Sequence, residues 1–322
     1  MFSQFVLLAI GLAILVFGAD LLVRGARAIA LAFGISTLVV GLTVVAFGTS
    51  APELFVSVAA ALDGKGDVAI GNVIGSNIFN ILIIIGLTAL LAPIHIARSI
   101  SWREMPIMLI SAGLFWIFAM DGTFSQLEGA VFAIGIFLYI AENYFVVRFG
   151  SASVTSELLE EIEEEEVAEE KKRPMFKNIL FIVLGLAGLI AGADLVVDNA
   201  TLIAKSFGIS DLVIGVTLVA VGTSLPELAT TIVAAVKGEP DLAVGNAVGS
   251  NIFNVLCVIG FTAIIQPLNV AEPALRFDFP YMFFACILFW PLMIVSGKLG
   301  RISGIAMIGV YGAYVYLTLV GA

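Results

Sequence analysis

The sequence predicts an all-α integral membrane protein of ten transmembrane helices, arranged as two inverted five-helix repeats. Three observations carry this prediction. The 322 residues are 61% hydrophobic and only 12% charged, with a mean hydropathy of +1.12, whereas a soluble domain carries about 25% charged residues. A long segment occurs twice along the chain. The basic residues fall almost entirely on alternate connections between apolar runs.

Apolar runs of the length that crosses a hydrocarbon core, about 17–25 residues, recur throughout. They lie near 5–23, 35–62, 68–92, 105–119, 128–147, 178–197, 209–236, 242–266, 279–295 and 302–320, the fourth and ninth being short. Helices are expected, because a lipid-exposed backbone must satisfy its own hydrogen bonds and the alternating pattern of a barrel strand is absent. The first run follows no basic segment and no clear small-residue cleavage site, so it is read as a span and not as a removed signal. Twelve of the fifteen Lys and Arg residues fall on one side of this plan, and only Lys65, Lys205 and Arg276 on the other. The positive-inside rule then puts the basic side in the cytoplasm and both termini outside a cell membrane.

The duplicated segment runs from Gly41 to Leu82 and again from Gly215 to Leu256, with no gap. Roughly 30 of the 53 residues from Leu38 to Leu90 recur identically at an offset of 174. Gly18-Ala19-Asp20-Leu21 recurs as Gly192-Ala193-Asp194-Leu195, and Pro93 as Pro267. Five spans separate equivalent points. Five is odd, so the second copy enters the membrane upside down. The repeats are expected over 1–149 and 178–322. Residues 150–177 join them as an acidic, solvated, cytoplasmic linker with nine glutamates between Glu157 and Glu170. It lacks the spaced Asp/Asn/Gly pattern of a dedicated calcium loop.

Each copy puts one carboxylate, Glu53 or Glu227, inside an apolar run, and an intramembrane ionisable residue is a functional-site hypothesis by default. In Gly48-Thr49-Ser50-Ala51-Pro52-Glu53 the proline has no N–H, so the Gly48 carbonyl loses its helical donor and the helix is expected to bend or break. Freed carbonyls, with Ala46 and Ala220 as further candidates, are tolerated at membrane depth where they line a cavity or meet an ion. Thr49 and Glu53 are four apart, as are Thr223 and Glu227, which places each pair on one helical face. The second element, Gly71 to Asn80, sets Asn72, Ser76 and Asn80 on one polar stripe, with Asn246, Ser250 and Asn254 as counterparts. Gly71 and Gly75, like Gly245 and Gly249, have the spacing that admits a close helix.

Every candidate ligand is oxygen, which suits hard cations such as Ca²⁺ or Na⁺. No His or Cys is placed to hold a softer metal: Cys257 and Cys286 lie in apolar runs as packing residues, and His95 lies in a loop. Glu53 and Glu227 together neutralise one Ca²⁺. No Lys or Arg lies inside the runs to pair with them. Ser57, Asn77 and Asn251 are read as polar glue between helices. Asp20 and Asp194 are read as interfacial anchors, Asp20 with Arg24. No basic stripe for nucleic acid is present, because the net charge of −10 comes largely from the linker. Nor is there a nucleophile–base set or an HExxH element for an enzyme.

At these residues the chain resembles the calcium/cation antiporter superfamily, and most nearly its prokaryotic sodium/calcium exchanger branch. The paired GTSxPE and GNxxGSNIFN signatures carry the likeness, which covers essentially the whole chain. Vacuolar-type calcium/proton exchangers resemble it less. The resemblance implies a midplane site between the second, third, seventh and eighth helices. There Glu53 and Glu227 would hold Ca²⁺ and touch flanking Na⁺. Thr49, Thr223, Ser50, Ser224, Ser76, Ser250, Ala46 and Ala220 would complete the ion sites, with Asn80 and Asn254 facing the centre. The first and sixth helices would slide across this core to switch access. Some related exchangers carry an aspartate at one of the two final positions of the SNIFN element. Here both are amides, which leaves two site carboxylates, makes three-for-one exchange an expectation from similarity alone, and argues against potassium co-transport. The expected cargo is Ca²⁺ and Na⁺ with no cofactor. A cation/proton antiporter using the same two glutamates is the alternative, since a carboxylate can trade a proton for a cation. A passive channel is disfavoured by the inverted, broken helices.

Overall fold

The computed structural model describes residues 2–149, 174–207 and 220–321. Most of the acidic linker, and the start of the second copy at Gly215, lie outside these residues. The described chain is helical, with four two-residue strands. Five helices are long and apolar enough to cross a bilayer: α1 (Phe2–Phe33), α4 (Gly66–Leu91), α6 (Gln126–Phe149), α7 (Met175–Ser206) and α10 (Pro240–Ile265). A sixth candidate span is broken into α2 (Thr37–Thr49) and α3 (Ala51–Leu62). The fourth, ninth and tenth apolar runs appear as α5 (Met105–Ala119), α11 (Phe279–Ser296) and α12 (Arg301–Gly321). The seventh run is represented by a single turn, α8 (Ala220–Gly222), and by α9 (Leu225–Val236).

Local chemistry sets the breaks. Gly34, at φ +65, follows α1, a backbone conformation that costs little without a Cβ. Ser36 then caps α2 through its side chain. At Ser50 (φ −81, ψ 4) the chain leaves the helix, and Pro52 falls in the first turn of α3, where its missing N–H is no loss. Ser224 (φ −91, ψ 7) and Pro226 do the same before α9. Ser125 and Glu128 form a capping box at the start of α6, the Ser125 N–H donating to Glu128 Oε2 at 2.7 Å. The helices also contain π-helical turns that composition does not announce: Asn80–Ile84 and Asn254–Ile259 begin at equivalent asparagines, as do Ile100–Glu104 and Ala274–Asp278 at equivalent positions ahead of α5 and α11.

The chain forms two compact units, and each draws on both copies of the duplication: residues 1–49 with 137–246, and residues 50–136 with 247–322. In the first unit α1 and α7 pack along a glycine seam. A Cβ added at Gly18 would lie 2.8 Å from the Leu189 nitrogen, one at Gly185 2.6 Å from the Leu22 nitrogen, and one at Gly192 2.7 Å from the Leu15 nitrogen. Such contact needs small residues. Leu15, Ala19, Leu22, Ile182, Leu189 and Ala193 fill the core beside the seam. Asp20 pairs with Arg24 at 2.8 Å and with Lys237, and Arg27 with Glu239 at 3.1 Å, tying α1 to the chain after α9.

In the second unit Phe115, Phe124, Phe132 and Phe279 form an edge-packed aromatic core. Two short antiparallel ladders fasten its connections. β1 (Ile94–His95) pairs with β4 (Lys298–Leu299), and β2 (Thr123–Phe124) with β3 (Leu268–Asn269). His95 therefore sits in a strand opposite Lys298.

Candidate functional site

In the second unit, Glu53 lies in the first turn of α3 and is fully buried, 0% exposed. An isolated charge is costly in such a place unless polar partners or an ion meet it. Asn72 on α4 donates from Nδ2 to the Glu53 backbone oxygen at 3.4 Å and to Ser57 Oγ at 3.1 Å. The Ser76 hydroxyl, one turn further on, faces Glu53 Oε1 at 3.5 Å. Ser50 and Ser250 are buried as well.

The first unit holds the equivalent arrangement around Glu227, also 0% exposed, in the first turn of α9. Asn246 on α10 donates from Nδ2 to the Glu227 backbone oxygen at 3.4 Å and to Thr231 Oγ1 at 3.0 Å. The same asparagine–hydroxyl clamp thus fixes the turn that carries each glutamate. Thr49 is buried and its hydroxyl donates to Asn246 Oδ1 at 3.1 Å, with the Ala46 carbonyl 3.4 Å away. That carbonyl, expected to be available to an ion, faces a hydroxyl. Ser224 is buried, and Thr223 Oγ1 is a buried oxygen with no hydrogen-bond partner among the described residues. Ala220 opens α8.

Asn80 and Asn254 are fully buried at the first residues of their π-turns. Asn80 Nδ2 donates to Asn251 Oδ1 at 3.4 Å, and Asn254 Nδ2 to Asn77 Oδ1 at 3.1 Å. The amide oxygens of Asn80 and Asn254 have no hydrogen-bond partner among the described residues. Two buried acceptors without donors, beside oxygen-rich neighbours, are the chemistry that a hard cation satisfies.

Each unit by itself therefore gathers one glutamate with hydroxyl and amide oxygens. Ser57, read as polar glue between helices, does join α3 to α4 as the partner of Asn72, and Thr231 at the equivalent position is the partner of Asn246. The fixed offset was the signal for them, because a hydroxyl recurs there although the residue type changes. Gly245 does admit a close helix, its Cβ position lying 2.9 Å from the Leu38 carbonyl oxygen. Gly71 and Gly75 meet nothing within 4 Å among the described residues. The segment equivalent to Leu38–Leu42 is 212–216, outside those residues.

Comparison with known proteins bears on the same elements. The family described as "Sodium/calcium exchanger protein" matches residues 3–146 and 177–320, one match per copy. The sodium/calcium exchanger MaX1 of Methanosarcina acetivorans is 35% identical, with 97% of each chain covered. The inner membrane protein YrbG of Escherichia coli is 38% identical over 88% of this chain and 86% of its own. A solved structure of the sodium-calcium exchanger NCX_Mj, soaked with Na⁺ and Sr²⁺, superposes with a TM-score of 0.81 at 32% identity, covering 97% of both chains. Matches in both copies and over nearly the full length leave one conclusion: the chain belongs to the sodium/calcium exchanger protein family, as a multi-pass membrane antiporter of the exchanger type and not an enzyme.

Proposed function

We propose that the protein exchanges Na⁺ for Ca²⁺ by alternating access, with Glu53 and Glu227 as the two charges that hold Ca²⁺. The observation that carries this reading is the pair of fully buried carboxylates, one per copy, each held by the same asparagine–hydroxyl clamp. Two carboxylates balance one Ca²⁺, and buried charge persists where it is balanced. Thr49, Thr223, Ser50, Ser224, Ser76, Ser250, Asn80 and Asn254, with the carbonyls of Ala46 and Ala220, supply the remaining oxygens of a six- to eight-fold Ca²⁺ shell and of Na⁺ sites. Support for these ions comes from MaX1, which carries the name of a sodium/calcium exchanger, and from NCX_Mj crystals soaked with Na⁺ together with Sr²⁺ or Ca²⁺.

Ten spans in two inverted five-helix repeats, 1–149 and 178–322, fit this activity, with the acidic linker 150–177 on the cytoplasmic side and both termini outside the cell membrane. The seam between α1 and α7 makes them one rigid pair, suited to move as the gating element.

The test is radioactive Ca²⁺ uptake into proteoliposomes under an outward Na⁺ gradient or a pH gradient. Uptake driven by internal Na⁺ and indifferent to pH is expected. Uptake driven by the pH gradient, with Na⁺ replaceable by choline, would instead assign a Ca²⁺/H⁺ antiporter using the same glutamates.

A further inference from the structure

Asn77 and Asn251 were read from the sequence as glue between helices, and the structure gives them a direction. Asn77 Nδ2 faces the Met282 sulfur at 3.8 Å and the Asn251 backbone oxygen at 3.4 Å. Asn251 Nδ2 faces the Met108 sulfur at 3.6 Å. Met108 and Met282 occupy equivalent positions of the two copies, on α5 and α11. These four residues, and Asn80 and Asn254 beside them, belong to the second unit.

A thioether and a backbone carbonyl accept hydrogen bonds and donate none. The amide nitrogens of Asn77 and Asn251 must therefore point at them, which turns each Oδ1 the other way. Those oxygens then demand donors, and they receive them from Asn254 Nδ2 at 3.1 Å and Asn80 Nδ2 at 3.4 Å. With their nitrogens committed, Asn254 and Asn80 are left presenting buried oxygens that no protein donor meets among the described residues. An amide is nearly symmetric in shape, so sterics alone would let it rotate by half a turn and offer N–H to a cation. The relay removes that option.

We propose that Met282–Asn77 and Met108–Asn251 are positioning relays that fix the amide polarity of Asn254 and Asn80, so that both present oxygen to the transported cations. The proposal rests on the reading of Asn80 and Asn254 as cation ligands. It explains how a chain with amides at both positions keeps a cation-accepting surface there without adding a third charge.

The experiment is a double-mutant cycle on the full-length protein in proteoliposomes, reading half-saturating Ca²⁺, half-saturating Na⁺ and maximal rate of radioactive Ca²⁺ uptake. Asn77→Leu keeps the volume and removes the acceptor. It is expected to weaken half-saturation by about threefold to tenfold, the scale of one lost hydrogen bond. Maximal rate should stay within about twofold, since the glutamates are untouched. In an Asn254→Ala background, Asn77→Leu is expected to add nothing. An equal loss in that background overturns the relay in favour of simple packing. Met282→Leu is the milder second variant, read by the Ca²⁺-induced thermal shift of the detergent-purified protein. A smaller weakening in the same direction is expected, and an unchanged shift overturns the methionine end. Wild-type uptake that ignores Na⁺ would remove the sodium reading while the cycle in half-saturating Ca²⁺ still reports on the relay. An Asn254→Ala variant with unaltered affinity for both ions would remove the ligand role and the proposal with it.

Discussion

Asn246 reaches from α10 to the Glu227 backbone oxygen at 3.4 Å, and Asn72 reaches from α4 to the Glu53 backbone oxygen at the same distance. Each asparagine spends its remaining N–H on a hydroxyl one turn beyond the glutamate, Thr231 or Ser57. Each glutamate is thus anchored through its own main chain. Proline and the serine turn break the helix at the glutamate, and the asparagine then anchors the broken end. The duplication produced this device twice.

Removing either charge should end calcium exchange. Glu53→Gln and Glu227→Gln keep the shape of the side chain and delete half of the negative charge opposing Ca²⁺. Leaving a buried charge uncompensated costs about 3–5 kcal/mol, so Ca²⁺ affinity should fall by at least about a hundredfold. The check is Ca²⁺ uptake and Ca²⁺-induced thermal stabilisation of each purified variant. Substantial exchange by either one would remove that glutamate from the ligand set.

The clamps should be felt less strongly but specifically. Asn72→Ala removes two hydrogen bonds of about 1 kcal/mol each without touching charge, and Asn246→Ala removes a third, from Thr49. Both should weaken half-saturating Ca²⁺ by roughly tenfold, and the loss should be larger for Asn246→Ala. Ser57→Ala, which deletes only the hydroxyl partner, should fall between Asn72→Ala and wild type. Equal affinities for all three variants and the wild type would make the clamps irrelevant to ion binding.

The glutamates, the proline breaks and the Asn/Ser stripes were legible in the sequence. Ionisable residues are rare inside the apolar runs, and a constant offset exposes every repeated position. Other features were not legible. The π-turns at Asn80 and Asn254 are shifts of hydrogen-bond register, and register leaves no mark in composition. The direction of the Asn77 and Asn251 amides depends on what faces them from α11 and α5, far away in sequence. The seam of Gly18 against Gly185 did not show in the repeated Gly-Ala-Asp-Leu, which contains Gly18 and Gly192 but not Gly185, because each glycine reads as an ordinary small residue until its partner helix is known. The compact units were hidden for a related reason. Duplication marks ancestry along the chain, whereas packing joins α1 to α7 and α4 to α10 across that division.

The seam predicts a graded steric effect. At Gly18 and Gly185 an added Cβ meets backbone atoms of the opposite helix at 2.6–2.9 Å, and backbone cannot swing aside as a side chain can. Gly18→Val should lower the thermal midpoint by several degrees, following the about 1–3 kcal/mol that overpacking costs. It should also slow exchange by prying α1 from α7. Gly312→Ala is the control, since a Cβ there meets nothing within 4 Å among the described residues. Its midpoint and exchange rate should match the wild type. A Gly18→Val protein as stable and fast as Gly312→Ala would mean that the two helices need not stay in contact.

The ion pairs at the end of α1 predict a charge-dependent effect of another kind. Arg27 and Glu239 are 3.1 Å apart with side chains only 18% and 11% exposed, so solvent screens them weakly. The equivalent positions in the other copy are Thr201 and Lys65, which cannot form this pair. The duplication therefore does not repeat this latch at residues 201 and 65. Arg27→Gln or Glu239→Gln should cost about 1–3 kcal/mol, between the values for exposed and fully buried pairs. The swapped pair, Arg27→Glu with Glu239→Arg, should recover much of that loss in thermal midpoint. The single variants should also change the ratio of half-saturating Ca²⁺ measured from the two sides of oriented vesicles, because a latch on one side favours one access state. If the singles lose stability and the side-to-side ratio stays fixed, the pair is a structural tie with no hold on access.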